Sequence, residues 1–219
     1  MRKCIWCSKD EEHVTFERKA HTIPQSLGGK HICSEVCDSC NNYFGSPSNQ
    51  LPSIEVAFKE LFNISRHILL RTTGEYKKIS RYKSEFFNVN WDNLSIRVKP
   101  RYQLKSNFQE NLARQLRRGF YKVFIEDRSR TIGDVHSNKF DFIRAFARYN
   151  LGDYPLFYFY PAKDIVYFST PDAIEPELRF SEYHKEVMTK FGFYEFFLMG
   201  HYFSIPVSTN YMLTWELYL

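Results

Sequence analysis

No apolar run in this 219-residue sequence is long enough to span a bilayer. The most apolar C-terminal stretch, residues 193–199, is short and carries Glu195. Arg2 and Lys3 lead straight into Cys4, so there is no apolar stretch of the secretory kind after Met1, and a cytoplasmic location is expected. Internal repeats and low-complexity tracts are also lacking. Hydrophobic residues make up 43% of the chain, which excludes a disordered polyelectrolyte. Nor is there a strong excess of one charge: 30 Lys and Arg against 25 Asp and Glu leave a net +5. That balance is compatible with a nucleic-acid partner without requiring one. It is also uneven. Residues 1–50 hold six basic and six acidic side chains, so the surplus lies in residues 51–219. An electrostatic grip on a polyanion is therefore expected mainly from the C-terminal part.

Cysteine is scarce but ordered. Four of the five cysteines form two pairs, Cys4-Ile-Trp-Cys7 and Cys37-Asp-Ser-Cys40. Two intervening residues let both sulfurs point inward from a tight turn, and two such pairs supply the four thiolates of a tetrahedral zinc site. A lone pair would equally suit a redox dithiol. Two pairs, the first with no preceding strand to build a βαβ unit, argue against that. A reducing compartment favours metal over disulfides. Cys33 has no partner pattern and reads as a small buried residue. A Cys4 cage has no open coordination position, so its zinc holds the fold together and does not catalyse.

The chain divides into a zinc module at 1–50 and an α+β remainder at 51–219, with 45–50 as a short linker. Apolar residues at helical spacing predict helices over 52–70, 108–126 and 137–150. Strands are expected near 76–82, 86–89, 94–98, 156–160, 165–169, 193–199 and 202–207. On the helix 108–126, Leu112, Leu116, Phe120, Val123 and Phe124 share one face. Arg114, Arg117, Arg118 and Lys122 fall on the opposite face. They read either as a solvated surface or as a basic stripe that neutralises phosphates.

Between the cysteine pairs lies the run Ala20-His21-Thr22-Ile23-Pro24-Gln25-Ser26-Leu27-Gly28-Gly29. His21 follows a strand signal and precedes Pro24, which ends pairing. A neutral imidazole there can take a proton from water. A single histidine is more often a hydrogen-bonded structural residue, but its neighbours reverse those odds. This run, with Cys37-Asp38-Ser39-Cys40-Asn41-Asn42-Tyr43-Phe44-Gly45, resembles the HNH endonucleases in their zinc-stapled, treble-clef-like ββα-metal form. The resemblance covers about residues 4–45, a fifth of the chain.

The resemblance implies a metal-dependent endonuclease acting on DNA, with RNA not excluded. It implies His21 as the general base, and Asn41 as a ligand of a catalytic Mg²⁺ or Mn²⁺ beside the structural zinc. Two departures stand out. Many members carry an acidic metal ligand where this chain has Ala20; either another residue, Glu17 or Asn42, supplies the oxygen, or the metal is held more by water and phosphate. The loop 29–36 also lacks the middle asparagine of the family name. Ala20 favours an alternative, a catalytically silent zinc-dependent nucleic-acid-binding or adaptor protein. A third reading is an effector of a bacterial or phage defence system, released by a protein partner or a small ligand. A homodimer and a protein partner are both open, and no membrane association is expected.

Overall fold

The computed structural model describes residues 1–47, 51–75, 82–93, 95–103, 107–159 and 173–219. Its first strands are minimal. β1 (Ala20–His21) pairs antiparallel with β2 (Ile32–Cys33), with His21 opposite Ile32. Helix α1 (Asp38–Gly45) follows, completing a ββα unit. The first cysteine pair sits ahead of it in a tight hairpin. The Cys4 amide donates to the Lys9 carbonyl at 2.8 Å and the Ser8 amide to the Cys4 carbonyl at 2.9 Å.

Helix α2 (Ile54–Thr72) starts one residue after Ser53, whose side chain accepts from the Val56 amide at 3.1 Å. The cap is therefore Ser53, just past the proline expected to open the helix. After it come the hairpin β3 (Phe87–Asn90) and β4 (Ser95–Val98), the short helix α3 (Pro100–Gln103), and the long α4 (Phe108–Thr131). Helix α5 (Asp141–Tyr149) is entered through a 3-10 turn at Asn138–Phe140 and ended by Asn150 in the left-handed conformation. Strand β5 (Phe157–Phe159), helix α6 (Glu182–Phe191), strands β6 (Phe193–Leu198) and β7 (His201–Pro206) and helix α7 (Tyr211–Tyr218) complete the chain. The sheet runs β5-β7-β6, all antiparallel, with Phe196 opposite Phe203. The whole is an α+β fold.

Most sequence expectations land within a few residues of these elements. The strand expected at 165–169 and nearly all of 76–82 lie outside the described residues. Helices α6 and α7 were not expected, for a physical reason. α6 fully buries only Val187 and α7 buries nothing, so α6 presents a narrow apolar face and α7 carries no apolar period. Helix α4 runs five residues beyond its expected end.

The main correction concerns the basic face of α4. Every residue from Arg118 to Asp127 is buried, so the helix is enclosed all round at its centre. Arg118 is 1% exposed and Lys122 2% exposed. Arg118 donates to the Phe146 and Ala147 carbonyls and to Tyr43 and Gln115. Arg114 and Arg117 are half-buried against Asp153, and Arg114 also caps the Asn150 and Gly152 carbonyls. Sequence periodicity sees four cations opposite an apolar face. It cannot see that the layers formed by α2, α5 and the ββα unit cover that face.

One continuous apolar cluster reaches from Cys4, Trp6 and Phe44 through Phe58 and Phe62 to Phe120, Phe146 and Phe203. The N-terminal unit therefore shares its core with the rest of the chain. Polar bonds seal the join. Trp6 Nε1 donates to Glu126 Oε1 at 3.0 Å, and Arg144 Nε to the Ile5 carbonyl at 2.9 Å.

Candidate active site of a zinc-stapled ββα unit

The four cysteine sulfurs Cys4, Cys7, Cys37 and Cys40 lie within 4.8 Å of one another, and Cys7 Sγ is 3.8 Å from Cys37 Sγ. Four thiolates tetrahedrally placed about 2.3 Å from zinc are about 3.8 Å apart, so the geometry fits that ion. The surroundings fit as well. The Cys37 amide points at Cys4 Sγ and Arg148 Nε at Cys40 Sγ, both at 3.4 Å. Such donors stabilise thiolate sulfur and orient it. Without a cation the thiols share too little positive charge. The hydrogen bond from Cys40 draws Cys4 down to about 4, while Cys40 itself is pushed up by the same contact. Cys33 is apart from this cluster, buried in the core, with its thiol pushed up to about 12 by burial.

Cys37 caps α1 and Cys40 lies in its first turn, so the cage anchors the helix that carries Asn41. Asp38 joins this helix to the strand that carries His21. Its carboxylate accepts from Thr15 Oγ1 at 2.6 Å and from the Arg18 and Glu17 amides at 2.8 and 3.2 Å. The Thr15 hydroxyl and these amides hold the Asp38 carboxyl below its ordinary value. Asn41 Nδ2 in turn reaches the Lys19 carbonyl at 3.4 Å.

After His21 the chain folds back on itself. A 3-10 turn at Gln25–Leu27 ends at Gly28, whose φ of +94° suits glycine. A Cβ on Gly29 would lie 2.0 Å from the Ile23 carbonyl oxygen, so glycine is required there for space. The paired glycines let the loop close tightly behind β1.

His21 is half-buried. Its carbonyl accepts from Lys122 Nζ at 2.9 Å, and its ring Nδ1 is buried with no hydrogen-bond partner among the described residues. A buried ring nitrogen left unpaired calls for a partner beyond the protein groups. His21 and Asn41 open onto one cleft of about 480 Å³, together with Asn42, Glu55, Lys59, Arg18 and Lys19. Glu17 does not line it. The structure thus brings His21 and Asn41 together, and leaves Arg114, Arg117, Arg118 and Lys122 out of the cleft wall. Sequence reasoning missed Glu55 and Lys59, which stand in the first turns of α2, and the exposed Arg18 and Lys19. A signal existed in the local sequence, since Arg18 and Lys19 immediately precede β1. Nothing local ties Glu55 to a site formed more than ten residues upstream.

Residues 4–50 match the family model for HNH endonucleases. The match of this N-terminal segment, with its four-cysteine cluster, suggests nuclease activity and nucleic-acid binding in general. No curated protein and no solved structure matches the chain. No helix among the described residues is long and apolar enough to cross a membrane.

Proposed function

We propose that this protein is a metal-dependent endonuclease that hydrolyses phosphodiester bonds in DNA at the cleft shared by His21 and Asn41. The observation that carries this reading is that His21 and Asn41 line one cleft, with the buried Nδ1 of His21 left without a partner among the described residues. Residues of these types at these places suit water activation beside a hard cation. His21 takes the proton as the water oxygen bonds to phosphorus and the bond to the leaving oxygen breaks. Its backbone is held by the strand pairing of β1 and by the Lys122 bond to its carbonyl. Asn41 would offer its amide oxygen to a bound Mg²⁺ or Mn²⁺. That ion, when bound, offsets charge on the departing oxygen. Arg18, Lys19 and Lys59 line the same cleft and replace the α4 stripe as the groups that neutralise backbone phosphates.

Plasmid cleavage with Mg²⁺ or Mn²⁺ tests the proposal. His21→Ala should slow cleavage about a hundredfold or more, the usual worth of a general base. Zinc content and circular dichroism should be unchanged, because the thiolates hold the scaffold independently. Equal cleavage by wild type and His21→Ala would remove His21 from the chemistry. If no DNA or RNA is cut under any divalent metal, the silent nucleic-acid-binding reading, which Ala20 favours, replaces this one.

A further inference from the structure

Ala20 leaves the unit without the acid expected beside its histidine. Side chains alternate along a strand, and Ala20 is buried in the core while His21 lines the cleft. A carboxylate for the cleft must then come from another element.

Glu55 stands in the first turn of α2, behind the Ser53 cap, and lines the cleft with His21 and Asn41. Its Oε1 is 3.3 Å from Lys122 Nζ. Its Oε2 lies over α1, 3.6 Å from where a Cβ on Gly45 would be. Gly45 is four residues beyond Asn41 on α1, so the two positions share a face, about 5–6 Å apart at Cβ. One Glu55 oxygen is thus tied to Lys122 and the other is directed at the Asn41 side of α1.

Charge supports the same conclusion. The buried Lys122 ammonium serves two carboxylates, Glu126 at 2.8 Å and Glu55 at 3.3 Å. Among the described residues Glu55 is the one carboxylate that lines the cleft, alongside Arg18, Lys19 and Lys59. Lys122 also bonds the His21 carbonyl, so a single side chain sets Glu55 and the strand of His21 in relation to each other. The side chains of Glu55, Asn41 and His21 line one cleft. Hard divalent ions take carboxylate and amide oxygens together with water.

We propose that Glu55 is the carboxylate ligand of the catalytic divalent cation, supplied from α2 in place of the acid absent at position 20. This rests on the metal-dependent nuclease reading and extends the site beyond the HNH segment at 4–50.

The test is Mn²⁺ titration of the zinc-loaded, full-length protein, followed by electron paramagnetic resonance and calorimetry. Wild type, Glu55→Gln, Glu55→Asp and His21→Ala are compared at equal zinc content and melting temperature. Glu55→Gln keeps an acceptor for Lys122, and should bind Mn²⁺ at least about tenfold more weakly. Glu55→Asp keeps the charge and should retain part of the affinity. His21→Ala should bind Mn²⁺ as wild type does while losing cleavage. If Glu55→Gln matches wild type in Mn²⁺ affinity, the assignment of Glu55 is overturned and the nuclease reading stands. If wild type cleaves DNA and neither binds nor needs a divalent ion, the metal site falls as a whole. Should Glu55→Gln fold poorly, unaltered Mn²⁺ affinity in a well-folded Glu55→Asp and in Asn41→Ala would equally overturn the site.

Discussion

Replacing Lys122 by Met separates the structural reading of α4 from the basic-stripe reading most sharply. The Lys122 ammonium is 2.8 Å from Glu126 Oε2, 3.3 Å from Glu55 Oε1 and 2.9 Å from the His21 carbonyl, and both Lys122 and Glu126 are fully enclosed. Met keeps most of the volume and removes the charge. Glu126 would then be buried with only Trp6 Nε1, at 3.0 Å, to compensate it. Breaking a buried pair from one side costs about 3–5 kcal/mol, a large share of the roughly 5–15 kcal/mol available to a folded domain. Burial already pushes the Glu126 carboxyl up to about 7, and Lys122 opposes that rise. Without Lys122 the folded carboxyl keeps its proton to higher pH than in the wild type, so the defect should grow as pH rises through about 7. Urea unfolding of the zinc-loaded protein, followed by circular dichroism at several pH values, measures this. Lys122→Met/Glu126→Leu should recover most of the loss, since an apolar pair of similar volume tolerates the same site. Arg117→Met, at a half-exposed ion pair, should cost less than about 1 kcal/mol. The reasoning is refuted if Lys122→Met costs under about 1 kcal/mol and instead lowers nucleic-acid affinity and its salt dependence. Lys122 would then face solvent and phosphate.

Metal analysis of protein purified without added zinc should find about one equivalent, as a single Cys4 cage requires. Cys40→Ser should lose it together with the folded ββα unit, and four freely titratable thiols in a folded protein would contradict the cage. Gly29→Ala forces a methyl against the Ile23 carbonyl oxygen and should cost about 1–3 kcal/mol in thermal or urea unfolding; unchanged stability would mean that the loop behind His21 is looser than drawn. His67 is pushed down to about 4, first by burial and then by Arg66 and Arg71. Between pH about 6.5 and 4 the unfolded chain binds a proton that the folded one refuses. Stability should therefore fall as pH falls through that window, by about 3 kcal/mol in all. His67→Phe should flatten the fall, and identical pH profiles for the two proteins would speak against it.

Features set by close neighbours were legible in the sequence. The two cysteine turns depend on two intervening residues each, and the closing loop depends on Gly28 and Gly29, so spacing was enough to assign both. His21 and Asn41 were singled out by the resemblance to the HNH endonucleases, and both line one cleft. The helices α2, α4 and α5 announced themselves where one face is apolar, and α6 and α7 did not because they bury almost nothing. What the tertiary structure alone decided is which polar groups face water. Lys122 finds the His21 carbonyl 101 positions away, and Arg118 finds Tyr43 75 positions away. No helical period encodes such partners, so cations that look like a solvent face become buried ties between layers. Glu55 shows the same limit in reverse. It reads as an ordinary first-turn acid of α2, and it reaches the cleft only because α2 packs beside α1. Local spacing specifies turns, cages and amphipathic faces, whereas long-range packing determines the dielectric around each charge and hence what that charge can do.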